Sequence, residues 1–139
     1  MRRPLEIAVL LSSVLAVACT PQIGDGCQSS IDCSINGDRQ CDTSAPDGLC
    51  TVYGCEADTC PDNAVCVRWR PDPTRLTFTA CMKRCSTDGN CRQADSFRCV
   101  AAGDITTTET GGDVIAEVVD EDRNDDGRFC VATEPEPVE

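Results

Sequence analysis

Residues 27–41 read CQSSIDCSINGDRQC and residues 85–99 read CSTDGNCRQADSFRC, so one C-x5-C-x7-C framework occurs twice in a chain of 139 residues. Repetition of this kind outranks local secondary-structure signals, because it reveals the unit from which a fold is built. Each framework runs on to a fourth cysteine behind an Asp-Gly turn signal, PDGLC ending at Cys50 and DDGRFC ending at Cys130. Between them Cys55, Cys60, Cys66 and Cys81 form a looser version, spaced x4, x5 and x14. The chain divides into three four-cysteine units, about 27–50, 55–81 and 85–130. In each unit the third cysteine is expected to open a hairpin and the fourth to lie on its return strand.

The fold class that follows is a small disulfide-rich domain of short β-hairpins and loops, with little or no helix after the N-terminal segment. VCVRWR alternates Val65, Val67 and Trp69 with other residues, PDPT supplies a turn, and LTFTA alternates Leu76, Phe78 and Ala80. That period of two predicts a pair of half-buried strands. A second pair is expected from DVIAEVV, around residues 114–119, and RFCV, around residues 128–131. Spacing does not determine which cysteines join, since twelve allow on the order of ten thousand pairings. The pairing expected is first-to-third and second-to-fourth within each unit, Cys27 with Cys41 and Cys33 with Cys50 in the first.

Composition points the same way. Thirteen cysteines accompany no histidine and only five aromatic residues, Tyr53, Trp69, Phe78, Phe97 and Phe129. A small domain with so few large apolar side chains depends on cross-links, each contributing ~2–4 kcal/mol, and is expected to be disordered when reduced. Metal–thiolate chemistry fits poorly, because zinc ribbons and redox sites use C-x-x-C pairs. The closest pair here is Cys81-x3-Cys85, and without histidine the mixed Cys/His zinc sites cannot form. Nucleophile pairs of the Ser-His or Cys-His kind are excluded for the same reason, and a carboxylate pair would need a cleft to shift one pKa. The chain is therefore not expected to be an enzyme or to need a cofactor.

The first nineteen residues, MRRPLEIAVLLSSVLAVAC, place Arg2 and Arg3 before an apolar run from Ile7 to Val17 and a small residue, Ala18, before Cys19. This is the layout of a secretory signal peptide, with an apolar run too short to span a bilayer. Pro4 and Glu6 argue against a twin-arginine signal. LAVA followed by Cys19 resembles the lipobox of bacterial lipoproteins. The resemblance implies cleavage before Cys19 and lipidation of that residue, with three acyl chains where one would give only marginal attachment. Removal of Cys19 from the count leaves an even twelve: Cys27, Cys33, Cys41, Cys50, Cys55, Cys60, Cys66, Cys81, Cys85, Cys91, Cys99 and Cys130. CDTSAPDGLCT, CPDNAVCV, CMKRCSTDGNCR and FRCV further resemble cysteine-rich secreted lipoproteins of the myxobacterial type, over most of residues 26–131. That likeness implies export, disulfides and anchoring in the cell envelope. Thr20, where retention would call for Asp, implies the outer membrane. The organisation expected is a signal peptide (1–18), a lipidated tether (19–26), the disulfide-rich domain (27–131) and an acidic disordered tail (132–139).

Without residues 1–18, ten basic and twenty-three acidic residues leave a formal balance of −13. Such a surface repels nucleic acid and favours cations or basic partners. In DEDRNDDG, Asp122, Asn124 and Asp126 before Gly127 resemble the opening of a calcium loop, with Asp120 as a further oxygen. Thr133 stands where an EF-hand needs a bidentate Glu, so the expectation is at most a weak calcium site at a hairpin tip. The function expected is a lipid-anchored envelope protein carrying a binding or structural module for a protein or glycan partner. The alternative is a protease inhibitor presenting the loop between Cys66 and Cys81, with Arg68, Trp69, Arg70 and Arg75 as contact residues.

Overall fold

Each hairpin of the molecule is built around a pair of cysteines that face each other across an antiparallel ladder. The computed structural model describes residues 20–71, 77–105, 114–120 and 127–133. In the first unit β1 (Gln40–Asp42) pairs with β2 (Leu49–Thr51), and Cys41 lies opposite Cys50. In the second, β3 (Ala64–Pro71) pairs with β4 (Phe78–Lys83), and Cys66 lies opposite Cys81. In the third, β5 (Phe97–Ala101) pairs with β7 (Arg128–Ala132), and Cys99 lies opposite Cys130. Residues directly opposite project to the same face. Both sulfurs of each pair therefore point at the preceding loop, which carries the first two cysteines of the unit.

Six disulfides result: Cys27–Cys41, Cys33–Cys50, Cys55–Cys66, Cys60–Cys81, Cys85–Cys99 and Cys91–Cys130. Their Cα atoms lie 5.4 to 5.9 Å apart, inside the range a disulfide requires. In every unit the first cysteine joins the third and the second joins the fourth. Two bonds thus meet side by side under each hairpin, and sulfurs of Cys27, Cys33 and Cys41 lie within 4.8 Å of one another, as do those of Cys55, Cys60 and Cys66 and of Cys85, Cys91 and Cys99.

The repeat extends past the cysteines. The residue just before the second cysteine turns a side-chain oxygen back onto the loop: Asp32 accepts the N–H groups of Gln28 and Ser29, Asn90 those of Ser86 and Thr87, and Thr59 that of Glu56. These donors hold the Asp32 carboxyl below its usual range. In the first unit the loop closes into the single α-turn among the described residues, α1 (Ser30–Cys33), and in the third into a 3-10 turn, Asp88–Asn90. Three residues after the first cysteine, Ser30 and Asp88 accept the N–H of Cys41 and of Cys99. The shorter x4 loop of the second unit has no such partner of its own. Asp120, two residues beyond Val118, takes the part from far along the chain, accepting Cys66 N–H at 3.0 Å and Asp58 N–H at 2.8 Å.

The three units share one core. Leu49 of the first, Val65, Val67, Ala80 and Met82 of the second, and Phe97 and Phe129 of the third pack together. The linkers join the units edge to edge: Cys81 N–H bonds Val52 O, Thr51 Oγ1 bonds Cys81 O, and Arg84 pairs with Phe129. Arg92 ties the third unit to the first, donating to Gly48 O at 2.6 Å while its guanidinium lies over the Phe97 ring.

Three expectations require correction. Residues 114–119 and 128–131 do not form a hairpin: β6 (Val114–Val118) joins the outer side of β3, with Val118 opposite Val67 and Ala116 opposite Trp69, while β7 is drawn to β5 by Cys130. Within β3, Ala64–Val67 are buried, Cys66 facing Ile23, Cys55 and Cys60 while Val65 and Val67 face the shared core, and from Arg68 onward one face of the strand is open. Residues 20–26 are not a free tether. Ile23 is fully buried against Cys55, Cys66 and Cys81, and Gly24 N–H and Asp25 O bond Cys50 O and N–H. At the other end Ala132 belongs to β7 and Thr133 bonds Ser96 O, so the domain includes two residues assigned to the tail; 134–139 lie outside the described residues.

The turn before Cys50 supplies a test. Asp47 and Gly48 both have positive φ, and a Cβ on Gly48 would stand 1.9 Å from Cys27 O, whereas one on Gly37, also at positive φ, would meet nothing within 4 Å. Gly37→Ala should cost only the left-handed backbone penalty, about 1 kcal/mol, and Gly48→Ala more than about 2 kcal/mol. Denaturant unfolding of the two oxidised variants measures the difference, and equal losses would contradict this account of the turn.

Candidate functional site

All five aromatic residues of the chain converge where the first hairpin leans across the inner face of the β4-β3-β6 sheet. Trp69 and Phe78 are opposite partners near the end of the β3–β4 ladder, and their rings stack at 6.4 Å and 18°. Tyr53, carried in by the linker that follows β2, meets Phe78 edge-on at 6.4 Å, and Phe129 meets Trp69 edge-on at 5.7 Å. Phe97 and Phe129 are buried. Tyr53 and Phe78 remain 41% and 47% exposed, large for aromatic side chains that have a core beside them.

Between these rings and the first hairpin lies a groove of about 340 Å³, lined also by Thr51, Ala80, Met82 and Ala132. Asp42, the last residue of β1, and Ser44 just beyond it give the groove a polar edge. The Asp42 carboxylate accepts the backbone N–H and the hydroxyl of Ser44, and it also receives the Tyr53 phenol. Burial first, then the charge of Asp42 and this hydrogen bond, push the Tyr53 phenol up to about 12. Among the described residues no Lys or Arg lines the groove. It combines apolar aromatic side chains with one anionic residue, Asp42.

The chain matches no family model, no curated protein and no solved structure.

The residues expected to act fall differently. Arg68, Trp69 and Arg70 are not presented on a loop, because they lie in β3, the first two between β4 and β6 and Arg70 paired with β6. Alternation separates them: Trp69 faces the core and the groove, while Arg68 and Arg70 lie on the opposite face and share Glu117, at 3.1 and 3.9 Å. Arg75 is outside the described residues. Both oxygens of Asp120 accept backbone N–H groups, so it caps the second unit. Asp122, Asn124 and Asp126 lie outside the described residues, as does Cys19. The three sulfur clusters are adjacent disulfides, whose sulfurs are bonded to each other and offer no thiolate to a metal.

Nothing in the sequence links Asp42 with Tyr53, because they belong to different segments with no shared pattern. The only cue was compositional: five aromatics in a chain otherwise poor in them.

Tyr53 is the only tyrosine, so its ionisation can be followed directly by phenolate absorbance. A phenol raised in the folded protein favours folding fully below its ordinary pKa near 10, and that contribution is lost as pH rises toward 12. The oxidised protein should titrate at about 12, and Asp42→Asn should bring the midpoint part of the way back, since burial remains. A midpoint of 10.0 in the folded protein would contradict the Tyr53–Asp42 contact.

Proposed function

We propose that the chain is an exported lipoprotein of the cell envelope, anchored through acyl groups on Cys19, whose disulfide-braced domain binds a partner through the aromatic groove. The supporting observation is the sulfur count. Of thirteen cysteines, the twelve that follow Cys19 are consumed by six disulfides, so Cys19 is the one that none of the others can take. Disulfides persist in oxidising compartments outside the cytosol, in keeping with the signal-peptide layout of residues 1–18. A lone cysteine directly behind that layout suits thioether lipidation, which would leave no reactive thiol.

The burial of Ile23 adds a geometric consequence: with the fold beginning at residues 21–23, an anchor on Cys19 would hold the domain close to the bilayer. Braced hairpins with a preformed groove bind with little ordering cost, which suits a recognition module. The chemistry of a protease inhibitor finds less support, because Arg68 and Arg70 are in a central strand and paired with Glu117.

Intact mass spectrometry of the protein extracted from membranes tests the anchor. A polypeptide beginning at Cys19 with diacylglyceryl and acyl additions is expected, taking up no alkylating reagent before reduction and twelve equivalents after it. An unmodified, water-soluble protein, or uptake of reagent at Cys19 without reduction, would contradict the proposal.

A further inference from the structure

We infer that the aromatic groove receives an arginine side chain from a basic partner polypeptide, an inference that rests on the groove being the binding face of the domain. The walls supply the first reason. Trp69, Phe78 and Tyr53 present π faces and edges around one opening, and such faces attract a cation placed above them. The rim supplies the second. Asp42 is a carboxylate at one end of the groove, and among the described residues no basic side chain lines the groove to neutralise it. The chain as a whole carries a formal charge of −12, which steers basic partners toward it.

Arginine uses both features better than other cations. A guanidinium is planar, so it can lie flat on a ring while its N–H fork addresses a carboxylate, whereas an ammonium is a strongly hydrated point charge. The fold already contains this arrangement once. The Arg92 guanidinium lies 4.5 Å from the centroid of Phe97, itself a groove-lining residue, and donates to Asp95 at 2.7 Å. Ring, guanidinium and carboxylate are all supplied from within the chain there. In the groove the ring and the carboxylate are present and the guanidinium is left for a partner to bring.

The only tryptophan stands in the groove, so its emission reports occupancy. The full oxidised protein in detergent is titrated with acetyl-arginine amide, with its neutral isostere acetyl-citrulline amide, and with tetramethylammonium. A saturable change with the arginine probe is expected, at least about tenfold stronger than with the citrulline probe. Asp42→Asn should weaken the arginine probe at least about fivefold and leave the citrulline probe unchanged. Phe78→Ala removes an exposed wall and should weaken it at least about threefold, which keeps the test available if Asp42→Asn fails to oxidise correctly. Citrulline binding as well as arginine, or tetramethylammonium binding more tightly, would leave the groove as a binding face but overturn its assignment to arginine. No saturation by any probe up to about 100 mM would overturn the groove itself, independently of whether Cys19 is lipidated.

Discussion

Two disulfides crossing beneath each hairpin are the constraint on which the rest of the molecule depends. Cys41 and Cys50, Cys66 and Cys81, and Cys99 and Cys130 are already neighbours across hydrogen-bonded strands. A bond within such a pair would fasten together residues that the ladder holds anyway. Each of these cysteines instead bonds to the loop below, closing separations of 11 to 39 residues and fixing to the hairpin a segment that no ladder holds. Each unit is thus a hairpin riveted to a loop, and the loop's own side chains, Asp32, Thr59 and Asn90, keep it in the shape that the two bonds need.

From that constraint the shared core follows. A riveted unit is too small to bury its apolar face alone, so Leu49, Val67, Phe97 and Phe129 come together from three units, and Ile23 fills the space beside the second pair of disulfides. Cross-links carry the stability, and the few aromatic residues are released from the usual duty of filling a core. Tyr53 and Phe78 remain partly in solvent, and the first hairpin with its Asp42 rim stands over them without closing. The groove is the gap left where rigid units meet.

Much of this was legible in the sequence, and what was not has definite physical causes. Cysteine spacing and the Asp-Gly turns announced three β-rich units, since both are local signals. The partner of β6 was not legible, because alternation in DVIAEVV marks a strand without naming its neighbour, and Cys130 commits β7 elsewhere. Ile23 read as part of a tether because one apolar residue among Pro and Gly has no period. The capping role of Asp120 was not legible either, since its partners Cys66 and Asp58 are 54 and 62 residues away. No pattern in the sequence links groups so distant, and the same holds for Asp42, Tyr53 and Trp69.

The most direct test of the central claim is a disulfide map of the native protein, obtained by proteolysis without reduction followed by mass spectrometry of the linked peptides. The fold requires Cys27–Cys41 with Cys33–Cys50, Cys55–Cys66 with Cys60–Cys81, and Cys85–Cys99 with Cys91–Cys130. A bond between units, or one joining a facing pair such as Cys66 and Cys81, would contradict it.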